Sequence, residues 1–291
     1  MQFTIKSRKI EAVLGLEGAM LNSLKKDGCE YLWQGDKAYW AGQAPVCFPI
    51  VGVLPENRGF AFGKECNMKR HGIARISPFE VFEKFENSIT FIQKSSEETK
   101  KAFPFDYELK IKYEIIGDTV SNEYIITNTG SEKFPFSIGG HPAFNCPLCE
   151  GERFEDYKVV FDKKMTRGYL RPNHETGIID INERFACLEN SDTIKLDYSL
   201  FEELDSMVFD NIESKCAALI GKNGRGVKIE YQDMANLLIW TNVNKSPFIA
   251  LEPWSGISNC SDESNKLEEK RGITVLYPRE TASFKFKITL F

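Results

Sequence analysis

The sequence predicts an all-β fold in which antiparallel sheets form a sandwich within one domain of 291 residues. Hydrophobic and polar side chains alternate over many short segments, which is the period of a strand with one buried face. The segments are separated by Gly, Asn, Asp, Ser or Pro, which are typical turn residues. No long helical pattern is present to cover a parallel sheet, and no repeat or linker divides residues 1–291, so we expect a single β-sandwich domain.

Two long alternating segments give the clearest strand predictions. In residues 284–290 Phe, Ile and Leu alternate with Lys and Thr, and residues 107–115 alternate in the same way. Gly117 and Asp118 then lead into residues 120–125, which predicts a β-hairpin. We expect shorter strands at residues 81–85, 89–92, 157–161, 227–231 and 237–240.

Helical patterns are weak by comparison. The best lie in residues 200–209 and 261–271, and each is short enough to be a loop with one or two helical turns. Residues 95–101 are polar, and we expect them to form a solvated loop between strands.

The charge balance excludes several classes of protein. The chain has 37 Lys and Arg against 42 Asp and Glu, a net charge of −5, and the two signs are interspersed. A nucleic-acid-binding domain usually carries a basic stripe, so we expect no nucleic-acid partner. The sequence contains no apolar run of about 20 residues and no signal-peptide pattern, which predicts a cytoplasmic protein without a membrane span.

The eight cysteines fit a reducing compartment, because they are scattered without the dense framework of a small secreted domain. Two residues separate Cys146 from Cys149, which is the spacing of half a zinc site or of a redox pair. No second close pair completes a four-ligand site, so we favour reduced thiols in a loop and predict no metal.

The chain has only three histidines, so any imidazole chemistry must use one of them. His141 follows two glycines, which allow close backbone approach, and precedes Pro142, which favours an extended conformation. His71 is followed by glycine and flanked by cationic residues. For both, a purely structural role stays an alternative, whereas His174 has the surroundings of an exposed loop residue.

Glu252 is the carboxylate with the most unusual position. It follows the apolar residues 248–251 and precedes Pro253 and Trp254, so a charged group lies at the end of an otherwise apolar strand. Such a carboxylate must be solvated, paired or functional. An ordinary glutamate at a sheet edge is the alternative.

Three ordered motifs resemble those of the galactose mutarotase-like proteins, the aldose 1-epimerases. They are His-Gly-Ile-Ala-Arg at residues 71–75, Gly-Gly-His-Pro-Ala-Phe-Asn at 139–145 and Leu-Glu-Pro-Trp at 251–254. The similarity extends to residues 15–24, where the family has N-terminal strands. The resemblance implies a large antiparallel β-supersandwich and interconversion of the α and β anomers of a free aldose, with neither a metal nor another cofactor.

The resemblance also implies the roles of the catalytic residues. His141 corresponds to the general acid at the ring oxygen, Glu252 to the base at the C1 hydroxyl, and His71 to a residue that contacts the sugar. Such an acid–base pair suits the opening of a hemiacetal, which needs one proton delivered and another removed. We expect the carboxylate to raise the pKa of His141 toward neutrality and the imidazolium to keep Glu252 ionised.

The sequence leaves more than one interpretation open for each residue expected to bind the substrate. Trp254 and Phe144 adjoin the acid–base pair and either stack on the sugar or belong to the core. The family has an arginine soon after a Phe-Pro segment, but this chain has Val53 there. Either Arg58 or Arg75 supplies the donor, or the substrate hydroxyls are held in another way. Asp205 best matches the family's hydroxyl-binding aspartate, although a turn residue is nearly as good an interpretation.

Two other functions stay open. The first is a sugar-binding or sensor protein that has kept the cleft without efficient catalysis. The second is a glycosidase or lyase domain, which the sequence disfavours because only one carboxylate has a persuasive setting and a glycosidase uses two. The expected partner is a monosaccharide, a hexose or a related aldose, and the expected assembly is a monomer or a homodimer.

Overall fold

The computed structural model describes residues 1–186, 188, 190–202 and 205–291. The ladders between its strands are antiparallel, which confirms the all-β prediction. The strands in the first part of the chain are β1 (Gln2–Lys6), β2 (Ile10–Gly15), β3 (Leu21–Lys26), β4 (Cys29–Glu30), β5 (Val46–Cys47), β6 (Arg58–Ala61), β7 (Lys64–Asn67), β8 (Glu80–Lys84), β9 (Ser88–Lys94), β10 (Tyr107–Ile116) and β11 (Thr119–Asn128). Those in the remainder are β12 (Phe134–Phe136), β13 (Gly139–Gly140), β14 (Ala143–Asn145), β15 (Tyr157–Met165), β16 (Ser191–Lys195), β17 (Ser206–Phe209), β18 (Cys216–Gly221), β19 (Gly226–Glu230), β20 (Asn236–Trp240), β21 (Phe248–Trp254), β22 (Thr274–Leu276) and β23 (Thr281–Leu290).

The largest sheet of the described chain has nine strands in the order β16-β15-β18-β19-β23-β11-β10-β9-β8. Strand β10 shows why the sequence forms it, because every second side chain from Tyr107 to Ile115 is buried and the intervening ones are half-exposed. The turn to β11 uses Gly117 at φ 62°, a left-handed conformation that glycine adopts without steric cost. The predicted hairpin and all the predicted strands are confirmed within a few residues.

A second sheet carries two of the three motifs, at residues 139–145 and 251–254. Its order is β17-β20-β21-β13-β5, and β14 also pairs with β21. It packs directly on the nine-stranded sheet at Gly140, where a Cβ atom would lie 2.7 Å from the ring of Phe286. Glycine at this position therefore lets the two sheets approach, and a continuous core of aliphatic and aromatic side chains lies between them.

The weak helical patterns form little helix. Residues 200–209 divide into the end of a 3-10 turn (Tyr198–Phe201) and strand β17, and the only helical part of 261–271 is a 3-10 turn at Leu267–Glu269. The expectation of a loop at residues 95–101 was wrong, because this segment contains the one-turn helix α1 (Glu97–Lys100). Ser96 and Thr99 cap it reciprocally, which satisfies backbone donors that a loop would leave to water.

Helices of the described residues are all too short to span a bilayer.

Candidate active site

The short strand β13 brings His141 into the middle of the second sheet. Gly139 pairs with Trp254 on one side and with Cys47 on the other. A Cβ atom at Gly139 would lie 2.3 Å from the Trp254 indole, so only glycine allows this approach. The backbone N–H of His141 donates to the carbonyl of Pro45 at 3.1 Å, which fixes the residue at the end of the strand.

Glu252 lies within β21, opposite Leu238, and its side chain is completely buried. Its Oε2 atom is 3.2 Å from Nε2 of His141, without the alignment of a hydrogen bond. The open alternative of an ordinary edge glutamate does not fit this position, because β21 has strands on both sides. The fold thus encloses one acid–base pair inside the sheet.

His71 faces the same pair from a left-handed turn, with φ 66°. Its backbone N–H donates to the carbonyl of Gly52 at 2.7 Å, and the N–H of Gly52 donates to its Nδ1 at 3.2 Å. Nδ1 is therefore an acceptor, and the neutral ring carries its proton on Nε2. The ring centroid lies 5.4 Å from that of His141 and 5.5 Å from that of Trp254.

These side chains line a cleft of about 220 Å³. This is smaller than the ~300–1,000 Å³ of drug-sized pockets, and it suits one small polar molecule. Six of the predicted site residues line the cleft: His71, Arg75, His141, Asp205, Glu252 and Trp254. Other residues that no sequence motif predicts also line the cleft, including Trp40, Arg70, Trp240 and Ser258.

Two predicted contacts do not line the cleft. Phe144 is fully buried in the main core, because the alternation of β14 turns it away from the face that Ala143 shares with Phe248. Arg58 lies on β6, exposed to solvent and paired with Glu65 at 2.7 Å. Neither side chain is therefore placed to touch a ligand in the cleft.

Arg70 occupies the region where Arg58 or Arg75 was expected to replace the arginine missing at Val53. A Cβ atom built on Gly177 would lie 3.0 Å from Nη2 of Arg70 and 3.0 Å from Cγ1 of Val53, so both side chains lie next to Gly177. Arg70 directly precedes His71 in the sequence, which is the feature that would have identified it.

Two tryptophans enclose His141. The indole of Trp40 stacks on the imidazole, with centroids 5.0 Å apart and planes inclined by 25°. Trp240 meets the same imidazole edge-on at 5.4 Å. No motif includes Trp40, which lies in a loop more than 90 residues before His141, so its position depends on the fold.

Burial shifts both pKa values of the pair against the charged forms that the sequence predicted. It lowers the pKa of His141 to about 3, and the nearby charges of Arg75 and Arg70 act in the same direction. Burial also raises the pKa of Glu252 well above its ordinary value, and the charge of Asp205 adds to this effect. Both shifts favour the uncharged forms, a neutral imidazole and a protonated carboxyl, because burial removes the two groups from water.

Several buried polar atoms of the cleft have no hydrogen-bond partner within the described chain. They are Nδ1 of His141, both carboxyl oxygens of Glu252, Nε1 of Trp254 and Nε of Arg75. An unsatisfied buried polar group costs about 1–3 kcal/mol. A ligand with many hydroxyl groups can both donate to and accept from these atoms, and would recover part of that cost.

Metal ligands do not gather in this part of the molecule. Among the described residues, no three His, Cys, Asp or Glu side chains lie close enough to hold an ion. Of the two closely spaced cysteines, Cys146 is buried and Cys149 accepts a hydrogen bond from Asn223 at 3.1 Å. His174 lies in an exposed turn, as expected.

Ser258 connects three segments of the cleft wall, and its replacement by Ala is expected to lower the free energy of unfolding by about 1–3 kcal/mol. Its hydroxyl donates to the carbonyl of Gly177 at 2.7 Å and accepts from the N–H of Val53 at 3.0 Å, and both bonds are buried. Urea denaturation measures the loss. Ser264→Ala, at an exposed position, is the control and should change stability by less than about 0.5 kcal/mol.

Comparisons with known proteins show which family the chain resembles. A family model described as aldose 1-epimerase matches residues 1–290. The plasmid-encoded protein LacX of Lactococcus lactis subsp. lactis is 40% identical over 301 residues, with 100% of this chain and 99% of that protein covered. A galactose mutarotase related enzyme from Lactobacillus acidophilus has a TM-score of 0.92 at 30% identity, covering 100% of this chain and 97% of its own. A galactose mutarotase-like protein from Lactobacillus casei has a TM-score of 0.88 at 29% identity, with 100% of both chains covered.

Proposed function

This chain belongs to the aldose 1-epimerase family, and on that basis we propose that it interconverts the α and β anomers of a free aldose. One observation above all supports the proposal. A histidine and a carboxyl lie 3.2 Å apart in a cleft of about 220 Å³, buried and without other hydrogen-bond partners in the described structure. An acid and a base at this separation can act on the two oxygens of one hemiacetal carbon.

Ring opening requires one proton to reach the ring oxygen and another to leave the C1 hydroxyl. The pair shares one transferable proton, which burial favours on Glu252. Sugar hydroxyls that donate to the carboxyl oxygens stabilise the carboxylate, so the proton passes to Nε2 of His141. His141 then protonates the ring oxygen while Glu252 accepts the C1 hydroxyl proton, and the bond between C1 and the ring oxygen breaks.

The open-chain aldehyde rotates about C1–C2, and the reverse proton transfers close the ring as the other anomer. Glu252 returns its proton to the C1 oxygen, and His141 takes the proton of the attacking hydroxyl. Both residues end the cycle as they began it, so the reaction consumes no cofactor. Preorganised groups in a site that excludes water contribute more to such proton transfers than they would in solution.

The remaining cleft residues would hold the sugar. His71 presents its Nε2–H as a donor, Arg75 offers a guanidinium, and the carboxylate of Asp205, which accepts from Ser206 at 2.7 Å, can take further hydroxyl donors. Trp254 adds an apolar surface with an unpartnered indole N–H. We assign these four residues to substrate binding. We also propose that the chain forms a single domain and acts in the cytoplasm.

Polarimetry tests the proposed function. Freshly dissolved α-glucose, α-galactose and further aldoses are mixed with purified protein, and the approach to equilibrium is compared with the spontaneous rate. Faster equilibration of at least one sugar is the expected result. Measurable sugar binding without any acceleration would replace the proposal by the sugar-binding alternative.

Arg75→Ala is expected to raise KM by about tenfold or more with a smaller change in kcat, because a hydrogen bond to a charged group contributes about 1.5–3 kcal/mol. Arg58→Ala is the matched control and should leave both constants unchanged, since Arg58 lies outside the cleft. Michaelis–Menten analysis by polarimetry distinguishes the two variants. An effect of Arg58 equal to that of Arg75 would contradict the assignment.

A further inference from the structure

The indole of Trp40 packs against His141 and against the backbone of its own loop. The imidazole of His141 stacks on it. The backbone of Gly42 also packs against it, since a Cβ atom there would lie 2.3 Å from Cζ2 and 2.6 Å from Cε2 of the ring. The sequence Trp40-Ala41-Gly42 therefore folds back on itself, and the indole fills the gap between the loop and the catalytic histidine.

Hydrogen bonds from other segments hold this loop in place. The indole N–H of Trp33 donates to the carbonyl of Trp40 at 2.8 Å. Asn242 donates to the carbonyl of Tyr39 at 3.0 Å, and Asn244 donates to that of Ala38 at 3.2 Å. Three consecutive carbonyls are thus tied to side chains outside the loop, although residues 36–38 are themselves exposed to solvent.

The aromatic neighbours of Trp40 restrict its movement further. Trp240 lies edge-on to it at 5.0 Å, and Phe248 is 5.7 Å away. The imidazole has no hydrogen bond on Nδ1 within the described residues and no aligned one on Nε2. Among the described residues, ring contacts and not side-chain hydrogen bonds therefore set the orientation of the His141 imidazole.

We propose that Trp40 is a positioning residue for His141. Its face holds the imidazole in the plane that directs Nε2 at Glu252, and it stabilises the imidazolium that forms when the proton crosses to Nε2. A cation over an aromatic face is attracted by the negative charge density of the ring. The inference rests on the proposed function, because it concerns the acid of that reaction.

Four variants separate this role from a general structural one. Trp40→Leu removes the aromatic face and keeps apolar bulk, whereas Trp40→Phe keeps a smaller face. Gly42→Ala leaves Trp40 in the sequence and displaces its ring, and Gly42 does not have a positive φ that would add backbone strain. Lys37→Ala, at an exposed position of the same loop, is the control.

The kinetic expectation is a loss in kcat. Trp40→Leu and Gly42→Ala should lower kcat by about 3- to 30-fold with little change in KM, and Trp40→Phe should recover most of the loss. Lys37→Ala should behave as the wild type. A Trp40→Leu variant that is no worse in a His141→Asn background than His141→Asn alone would show that Trp40 acts through His141.

Histidine NMR gives a readout that needs no activity. The chain has only three histidines, and His141→Asn identifies the signals of His141. Loss of the indole should shift and broaden these signals and leave those of His174 unchanged.

Unchanged His141 signals in Trp40→Leu would overturn the proposal, and so would a change in KM alone, which would make Trp40 a sugar-binding surface. If the wild type converts no aldose, the proposed function fails. The NMR result still shows whether Trp40 positions the imidazole of His141.

Discussion

Glu252→Gln is expected to lower kcat by about 10²- to 10⁴-fold, the range typical of a lost general acid or base. The amide has nearly the shape of the carboxyl, but it can neither release a proton to His141 nor accept one from the C1 hydroxyl. The replacement therefore removes the proton transfer and keeps the cleft. Polarimetric rates with saturating sugar measure the loss, and near-normal activity would remove Glu252 from the mechanism.

Thermal melting supplies the control for this variant. The pKa of Glu252 is raised in the folded state, so the folded protein holds the proton more tightly than the unfolded chain. The stability that this group contributes is fully present below its ordinary pKa of 4.5 and is lost as pH rises above it. Glutamine does not ionise, so at neutral pH Glu252→Gln should melt at or above the wild-type temperature. An inactive variant that also melts lower would point to misfolding.

His141→Asn is expected to cause a loss of kcat of about the same size, 10²- to 10⁴-fold. Asparagine cannot carry the proton to the ring oxygen, and it also lacks the aromatic face on which Trp40 packs. His174→Asn is the matched control, because His174 lies in an exposed turn, and this variant should retain full activity. The assay is the same polarimetric comparison across a series of enzyme concentrations.

The losses of kcat caused by the two replacements should not be additive. Because His141 and Glu252 exchange one proton, either single variant stops the same transfer, and the double variant should be little worse than each alone. Losses that multiply in the double variant would indicate that the two residues act in separate steps. A His141→Asn variant with near-normal kcat would leave Glu252 without its partner and contradict the proposed mechanism.

Much of the fold follows from local sequence patterns. The alternation in residues 107–115 predicts strand β10, because only a period of two places each of its apolar side chains on one face. The turn at Gly117 and the following strand are predictable for the same reason. Hydrophobic periodicity does not predict the helix at Glu97–Lys100, since its stability comes from two capping side chains and not from an apolar face.

The sequence likewise predicted some residues of the candidate site and misplaced others. His141, Glu252 and His71 stand in motifs whose glycines and prolines mark them in the sequence, and all three line one cleft. Phe144 adjoins His141 in sequence but lies on the other face of its strand, because neighbouring residues of a strand point in opposite directions. Sequence proximity was thus a poor guide to which aromatic ring the site would contain.

By itself the sequence determined the class of fold, and it pointed to the residues that we propose as acid and base and to the glycines that let strands approach around them. The tertiary structure alone decided that Trp40 covers His141, that Arg70 lies near Val53, and that burial lowers the pKa of His141. The reason is physical. Periodicity and motif chemistry act over a few residues, whereas the cleft is formed by segments far apart in the chain, and the pKa of a group depends on how completely those segments remove it from water.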